Sequence, residues 1–228
     1  MLALIADIHS NLEALKAVLD ALKEQKPSEI LCLGDIVGYG ANPREVIRLL
    51  RAHRIHCIQG NHDLHAATLE RLDWFNADAA AALRWTNAKL GLFAKRWLAR
   101  LPKTTTVNGL FLVHGSPADP LYDYVWPTTP ERRLDELLRL AKTPALAMGH
   151  THQPFVRRLH GCTVLNAGSV GQPRDGDPRA AFVLLEQERG EPPSIRIVRV
   201  DYEVERAAQK IVEAGLPPFL AARLYQGA

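Results

Sequence analysis

Side chains suited to binding divalent metal ions recur in five short segments of the chain. In order, the segments are Asp7-Ile8-His9, Gly34-Asp35, Gly60-Asn61-His62-Asp63, His114-Gly115 and Gly149-His150-Thr151-His152. Carboxylate, imidazole and amide-oxygen groups bind such ions, and a pair of ions needs one ligand that both share. A single Asp-x-His segment occurs by chance in many proteins, whereas the ordered set predicts a two-metal hydrolytic site.

Length and charge are consistent with a catalytic domain. The chain has 228 residues and a net charge of +3, and we predict a single domain over residues 1–228. The positive charge is small and scattered, so it does not by itself predict binding to nucleic acid, which stays an open question. A homodimer is compatible with the sequence.

The N-terminus and the cysteines predict a cytoplasmic protein with no membrane partner. The first apolar run has no basic start and ends at Asp7, which is typical of a strand rather than a signal peptide. No apolar run is long enough to span a bilayer. The three cysteines, Cys32, Cys57 and Cys162, lie in short apolar runs and are expected to be reduced and buried.

The first third of the chain alternates strands and helices. Apolar runs at residues 2–6, 30–33 and 55–58 predict strands. A helix is expected to begin near Ser10 with a capping box of Ser10 and Glu13, and a second begins at Asn42 and Pro43. Residues 65–101 are predicted to be helical throughout, as an insertion into the domain.

The second half is richer in strands. Short apolar runs predict strands at residues 110–113, 145–148, 163–165, 181–185 and 195–200. Helices are expected at residues 130–142, with Thr129 as the cap, and at 203–214. The fold class is therefore α/β, a four-layer αββα sandwich in which two mixed β-sheets pack face to face with helices on both outer sides.

The framework accounts for the spacing of the polar motifs. Side chains at positions i and i+2 of a strand point to the same side, so Asp7 and His9 are expected to reach one metal together, as are His150 and His152. The other candidates, Asp35, Asn61 and His114, follow the carboxyl ends of predicted strands. Ligands bind at that edge in sheets of this kind.

The order of the motifs resembles the calcineurin-like metallophosphoesterase superfamily, in its small prokaryotic phosphodiesterase branch. The family pattern D-x-H, G-D, G-N-H-[DE], H and G-H-x-H is filled throughout residues 7–152, and residues 168–174 add a similar Gly-Ser-Val-Gly-Gln-Pro-Arg stretch. The resemblance implies the same fold of two stacked sheets. It also implies a first metal held by Asp7, His9, Asp35 and His152, and a second held by Asp35, Asn61, His114 and His150.

The resemblance implies two divalent ions per chain, which could be Mn, Fe, Zn or Ni, with Mn favoured. Two ions about 3.5 to 4 Å apart can hold a bridging hydroxide that attacks phosphorus. We expect His62 to donate a proton to the leaving group, with Asp63 orienting its ring. Ser169 and Arg174 are weaker candidates for binding the substrate phosphate, since a turn and a solvated arginine explain them equally well.

One departure from the family bears on the substrate. Protein phosphatases of the superfamily carry an arginine soon after the bridging Asp, whereas residues 35–40 here read Asp-Ile-Val-Gly-Tyr-Gly. We therefore predict a small phosphodiester or nucleotide-type substrate. Its base could stack on Tyr39, Tyr122, Tyr124 or Trp126, although such aromatic residues are more often packed in the core or at a rim. Substrate choice is expected to reside in residues 65–101 and 116–130.

Four alternatives to a phosphodiesterase can be compared with the same residues. Within the hydrolases, the chain could be a phosphomonoesterase or a dinucleoside polyphosphate hydrolase. It could also be a non-catalytic scaffold that binds a protein partner, although no predicted ligand is lost. A structural zinc module is disfavoured because closely spaced cysteine tetrads are absent.

Overall fold

The computed structural model of the protein describes residues 1–186 and 193–228. The strands in this part of the chain are β1 (Leu2–Ile5), β2 (Glu29–Cys32), β3 (His56–Cys57), β4 (Thr104–Val107), β5 (Leu110–Val113), β6 (Ala145–Met148), β7 (Phe155–Leu159), β8 (Cys162–Asn166), β9 (Ala180–Glu186) and β10 (Ser194–Val200). They form two sheets, ordered β10-β9-β1-β2-β3 and β4-β5-β6-β8-β7. Both sheets are mixed. The first is parallel from β1 through β2 to β3 and antiparallel from β1 through β9 to β10. The second is parallel at its centre and antiparallel at both edges.

The helices surround the sheets. They are α1 (Leu12–Gln25), α2 (Pro43–Ala52), α3 (Asn61–Thr68), α4 (Ala77–Lys89), α5 (Leu92–Ala99), α6 (Glu131–Ala141), α7 (Val204–Glu213) and α8 (Pro218–Gln226). A short 3-10 turn covers Leu72–Trp74. None of the helices in the described part of the chain is long and apolar enough to cross a membrane.

The alternation of side chains along β1 shows how the layers pack. Leu2 and Leu4 join a core between the two sheets, together with Leu112 of β5. Ala3 and Ile5 face the other way, into a core shared with α1 and α2. On the far side, α6 packs against the second sheet through leucines such as Leu134 and Leu137. The predicted αββα sandwich is confirmed.

Three local predictions about helices were wrong, one of them at α6, whose N-cap is Pro130 rather than Thr129. Residues 65–101 are not helical throughout, because α3, the 3-10 turn, α4 and α5 are separate elements. Helix α1 is capped by Asn11, whose side-chain oxygen accepts from the Ala14 amide at 3.1 Å. Ser10 has a left-handed backbone, and Glu13 instead pairs with Lys210 of α7, so the predicted capping box does not form.

The elements that the sequence did not predict are two edge strands and the last helix. Strands β4 and β7 lie at the two edges of the second sheet, and their sequences, Thr-Thr-Thr-Val and Phe-Val-Arg-Arg-Leu, lack a continuous apolar run. Edge strands often carry polar and charged residues, which weakens the pattern that identifies a strand. Helix α8 packs on α7 and α4 through Leu220, Ala221 and Leu224.

The parallel strands determine where the polar motifs meet. Strands β1, β2 and β3 run parallel in one sheet, and β5, β6 and β8 run parallel in the other. The segments with the predicted metal ligands leave the carboxyl ends of β1, β2, β3, β5 and β6. All of these segments therefore reach the same edge of the sandwich.

Candidate metal centre

All seven predicted metal ligands lie together in the interior of the protein, at that edge. Their exposed fractions do not exceed 6%. We call this set the ligand cluster; it consists of Asp7, His9, Asp35, Asn61, His114, His150 and His152. Buried charged and imidazole groups need partners, because an unpaired buried charge is strongly unfavourable.

The backbone of the ligand cluster is largely left-handed. The φ angles are 52° at Asp7, 47° at His9, 51° at Asp35, 69° at His150 and 59° at His152. Non-glycine residues seldom adopt this conformation, and where they do it is usually held by surrounding structure at a functional site. Here hydrogen bonds between neighbouring loops hold it: the His9 amide donates to the Asp35 carbonyl at 2.9 Å, and the Asp7 amide to the Gly34 carbonyl at 3.0 Å.

Glycines allow these loops to approach closely. A Cβ atom on Gly60 would lie 2.0 Å from Oδ1 of Asp35, and one on Gly38 would lie 2.6 Å from Nδ1 of His62. Gly38 also has a φ of 105°, which side chains rarely tolerate. Both positions therefore require glycine.

A first group of donor atoms comes from Asp7, His9 and His152. Nε2 of His9 lies 3.1 Å from Nε2 of His152 and 3.8 Å from Oδ1 of Asp7. Oδ1 of Asp7 is 3.4 Å from Nε2 of His152 and has no hydrogen-bond partner among the described residues. These spacings are typical of ligands around one ion.

A second group comes from Asp35, His114 and His150. Nε2 of His114 lies 3.3 Å from Oδ2 of Asp35 and 3.2 Å from Oδ1 of Asn61. Oδ2 of Asp35 is also 3.6 Å from Nε2 of His9, so this carboxylate lies between the two groups. Nε2 of His150 is buried without a partner in the described part of the chain.

The hydrogen bonds of three histidines determine which ring nitrogen faces the cluster. Nδ1 lies 3.2 Å from the Val37 carbonyl in His9, 2.9 Å from the Leu33 carbonyl in His114 and 2.5 Å from the Gln172 carbonyl in His152. A carbonyl only accepts, so Nδ1 carries the hydrogen and Nε2 presents a lone pair. Lone pairs that converge with carboxylate oxygens repel each other unless a cation lies among them. The residues therefore fit divalent metal ions.

The pKa values of three histidines and of Asp35 are consistent with this donor set. Burial lowers the pKa of His9 and His152 well below the usual range and lowers the pKa of His150 to about 3, so these rings are neutral. Burial opposes the charge of Asp35, but His114, His62 and His9 outweigh it and lower the pKa of that carboxyl. Burial alone would lower the pKa of His114, yet the Asp35 carboxylate raises it to about 9. Without a metal ion, this ring is therefore protonated and pairs with Asp35, and a bound ion would have to displace that proton.

A family model of the calcineurin-like phosphoesterase superfamily domain matches residues 1–190. The chain belongs to the calcineurin-like phosphoesterase superfamily. Membership in this superfamily, together with the His/Asp groups, supports a phosphoesterase of the hydrolase class that binds divalent metal.

Several similar proteins align with this chain over its whole length. An uncharacterized protein of Methanocaldococcus jannaschii is 36% identical over 247 aligned positions, which cover 100% of this chain and 98% of that protein. The crystal structure of a metallophosphoesterase from Sphaerobacter thermophilus is 34% identical with a TM-score of 0.84, covering 100% of this chain and 98% of its own. A hypothetical protein from Pyrococcus horikoshii OT3 is 25% identical with a TM-score of 0.91, covering 100% and 99%.

The pairing of His150 with His152 differs from the strand-based prediction. Both residues lie beyond the end of β6, in left-handed backbone rather than in a strand. His152 joins Asp7 and His9, whereas His150 joins Asp35 and His114. The two histidines therefore belong to different groups of donor atoms.

His62 lies beside the ligand cluster. Its ring is 4.5 Å from the Tyr39 ring, 4.9 Å from the His9 ring and 5.2 Å from the Phe75 ring, measured between centroids. Its ring nitrogen also lies within ligand distance of His9 and Asp35, so geometry alone permits either an acid or a ligand. Burial lowers the pKa of His62 to about 4.

Asp63 does not orient the His62 ring, contrary to the sequence-based expectation. Its Oδ1 accepts from the Ile36 amide at 2.9 Å and the Val37 amide at 3.1 Å, and its Oδ2 accepts from the Gly60 amide at 3.0 Å. Nδ1 of His62 has no partner among the described residues. Asp63 instead ties the loop after β2 to the start of α3.

Ser169 is also structural. Its hydroxyl donates to the Asp7 carbonyl at 2.7 Å and accepts from the Gln172 amide at 2.8 Å. The side chain is fully buried. It therefore braces the loop after β8 against the loop after β1, which fits the alternative explanation, a turn, better than a role in binding substrate.

A cavity of about 700 Å³ opens beside the ligand cluster, and Arg174 lines it. Nη2 of Arg174 donates to the Gln172 side chain at 2.8 Å. Its Nε is buried without a hydrogen-bond partner in the described residues, and its amide donates to the carbonyl of His152. Arg174 is therefore next to the ligand cluster and retains unused donors.

Aromatic side chains form much of the cavity lining. We call them the aromatic wall; its members are Trp74, Phe75, Tyr122, Tyr124 and Phe219. Tyr122 and Tyr124 were predicted to be available for stacking, and Tyr124 stacks on His150 with centroids 4.1 Å apart. Trp126 stacks on Tyr124 at 5.5 Å. Tyr39 is buried between the His9 and His62 rings.

Several residues of the site were missed by sequence reasoning. Asn166 is fully buried and donates to Gly149 and Thr151, so it holds the loop that carries His150 and His152. Phe219 and Arg223 reach the cavity from α8. Only the Gly-Ser-Val-Gly-Gln-Pro-Arg stretch lay close enough in sequence to draw attention to Asn166.

Proposed function

We propose that the protein hydrolyses small phosphodiesters or nucleotide-type phosphate esters with the help of two divalent ions that share Asp35. The main observation in support is that Nε2 atoms and carboxylate oxygens converge in two groups. Oδ2 of Asp35 lies 3.6 Å from Nε2 of His9 and 3.3 Å from Nε2 of His114. A carboxylate can bridge two ions, which neutral imidazoles and an amide oxygen then complete.

The protein residues would act mainly by positioning. Two divalent ions, when bound, supply positive charge that activates water and stabilises the phosphoryl oxygens. The carbonyls of Val37, Leu33 and Gln172 hold three imidazoles in the tautomer that binds metal. Arg174 would donate its free N–H groups to a phosphate oxygen beside the cluster. We propose Mn as the favoured metal, with Fe, Zn and Ni as the alternatives.

His62 is proposed as the group that protonates the leaving alkoxide. It lines the cavity beside Asp35, where a phosphate ester would lie. In the free protein the ring is neutral at pH 7 because burial lowers its pKa to about 4. An anionic substrate next to the ring would favour the protonated form.

The aromatic wall supports a diester substrate more strongly than the absence of an arginine soon after Asp35 does. The absence of an arginine soon after Asp35 argued against phosphoprotein substrates, but Arg174 and Arg223 bring guanidinium groups to the cavity from other segments, which weakens that argument. The aromatic wall and the 700 Å³ volume suit a nucleotide-sized ligand. A role for nucleic acid, a homodimer and a cytoplasmic location stay predictions.

The proposal can be tested on metal-stripped protein that is reloaded with Mn, Fe, Zn or Ni. Elemental analysis should find two ions per chain, and anomalous scattering should place both against Asp35. The loaded protein should hydrolyse bis(p-nitrophenyl) phosphate faster than p-nitrophenyl phosphate. Preference for the monoester would favour a phosphomonoesterase, and turnover of dinucleoside polyphosphates alone would favour the other alternative. One ion per chain at saturation would refute the shared carboxylate.

A further inference from the structure

Helix α8 delivers a second arginine to the cavity. Arg223 lies on α8 and lines the same cavity as Arg174, His62 and Asp35. The helix lies outside residues 1–190, the part that the family model matches. The motifs of the superfamily therefore do not account for the position of Arg223.

The two arginine-bearing segments are fixed to each other. The Gly176 amide donates to the Gly227 carbonyl at 2.9 Å, which joins the end of α8 to the loop that carries Arg174. A Cβ atom on Gly227 would lie 2.7 Å from backbone atoms of Asp177. Buried Leu220 and Leu224 hold the helix against Tyr39 and α4. The helix that carries Arg223 is therefore held in a fixed position at the cavity.

Neither arginine forms an ion pair with an acidic side chain of the described residues. Within residues 1–186 and 193–228, no Asp or Glu carboxylate lies within 4.0 Å of either guanidinium. Nε of Arg223 donates to the main-chain oxygen of Ala228, the last residue of the sequence, which leaves its two terminal nitrogens. Burial, followed by the charge of Arg174, lowers the pKa of Arg223 to about 10; Tyr39 and Asp78 act in the opposite direction. Two like charges that share a cavity disfavour each other unless an anion lies between them.

Arg174 and Arg223 are placed to contact different parts of a substrate. Arg174 follows His152 closely in space, through the bond from its amide to the His152 carbonyl, and so serves a phosphate at the ligand cluster. Arg223 instead packs over the Phe219 ring of the aromatic wall, 5.3 Å from its centroid. An anionic group bound by Arg223 would therefore be attached to the part of the substrate that contacts the wall.

We propose that Arg223 is a specificity-determining residue that binds a second, non-reacting phosphate of the substrate. The substrate class is then a phosphodiester whose nucleoside portion carries an additional phosphate. The assignment rests on the proposed phosphodiesterase function for its reacting phosphate, but the affinity of the cavity for the second phosphate can be measured without turnover.

The test uses the metal-loaded protein and two thymidine nucleotides that differ by one phosphate. Calorimetry should show that thymidine 3′,5′-bisphosphate binds roughly 10- to 100-fold more tightly than thymidine 5′-monophosphate, as expected for charge-assisted hydrogen bonds. Arg223→Gln should reduce the ratio to within about twofold. Arg223→Lys should retain part of it, since the charge stays but the planar fork is lost. Arg132→Gln, which removes a 92% exposed arginine of α6, should leave the ratio unchanged.

Activity on p-nitrophenyl esters of the same two nucleotides distinguishes the proposed role of Arg223 from the proposed phosphodiesterase function. Wild type should show a higher kcat/KM for the ester that carries the 3′-phosphate, and Arg223→Gln should abolish that preference. Equal binding of the two nucleotides, or a ratio that survives Arg223→Gln, would overturn the role of Arg223. Tighter binding of the bisphosphate without turnover of either ester would support Arg223 and refute the phosphodiesterase. A folded Arg223→Lys protein that binds like Arg223→Gln would show that geometry, not charge alone, is required.

Discussion

The ligand cluster and the aromatic wall face the same cavity but are built in opposite ways. The ligands are at most 6% exposed, whereas Trp74, Tyr124 and Phe219 are 57%, 50% and 57% exposed. The ligands follow strand ends, and their left-handed backbones are held by hydrogen bonds between loops. The wall comes from α8, the 3-10 turn, Phe75 and the loop before α6.

Because of this difference, we expect the ligand cluster to carry out the chemical step and the aromatic wall to select the substrate. A change in the ligand cluster disturbs several buried groups at once, because each donor atom lies close to others. A change in the wall removes contact area on a surface that already faces solvent. We therefore expect mutations of the cluster to affect metal binding and turnover on every substrate, and mutations of the wall to affect KM selectively.

The largest effect is expected for Asp35→Asn. Its carboxylate lies between the two donor groups, so the neutral amide should lower metal occupancy and abolish measurable turnover, a loss in kcat of more than about 10⁴-fold. Elemental analysis and turnover on bis(p-nitrophenyl) phosphate measure both effects. Asp20→Asn, at a 69% exposed position, is the control. Full metal occupancy in Asp35→Asn would contradict the bridging role.

His62→Ala should keep the metals but slow the reaction by roughly 10²- to 10⁴-fold on a nucleotide diester. A nitrophenolate leaves readily without a proton, so the loss should be much smaller on an activated aryl diester. Steady-state kinetics on both substrates give the comparison, with exposed His56→Ala as the control. Loss of a metal ion would identify His62 as a ligand. An equal decrease in rate on both substrates would refute its role as a general acid.

Asp63→Asn tests the corrected role of this carboxylate. An amide cannot accept all three backbone N–H groups, so we expect a loss of about 1–3 kcal/mol in the free energy of unfolding. The corresponding fall in Tm is roughly 2–4 °C for each kcal/mol in a domain of this size. Activity should fall equally for good and poor leaving groups. A larger loss on the poor leaving group would restore the idea that Asp63 acts through the His62 ring.

The sequence predicted the ligand cluster better than the wall for physical reasons. The seven ligands lie in short motifs that follow strand ends, and a buried strand has a recognisable apolar run. That His150 and His152 serve different groups was not predictable from strand alternation, because both have positive φ. Arg223 and Phe219 show only the i, i+4 spacing of an ordinary helix surface. Their place in the cavity depends on how α8 docks, which no local pattern encodes.

The smallest effect is expected in the wall, at Trp74. Its ring lines the cavity and contacts Tyr122 edge to face at 5.3 Å. Trp74→Ala should raise KM for a nucleotide diester by about two- to tenfold, since an aromatic contact contributes about 0.5–1.5 kcal/mol. The KM for a small alkyl diester should change little, and metal content should not change.

Phe93→Ala provides the matched control, because Phe93 is an exposed aromatic, 64% accessible, that packs under Arg51 and does not line the cavity. It should leave both KM values unaltered. If Trp74→Ala lowered kcat on both substrates while KM stayed constant, the wall would be acting on the chemical step. The separation between a catalytic cluster and a selective wall would then fail, since a surface that only holds the non-reacting part of the substrate should change KM first.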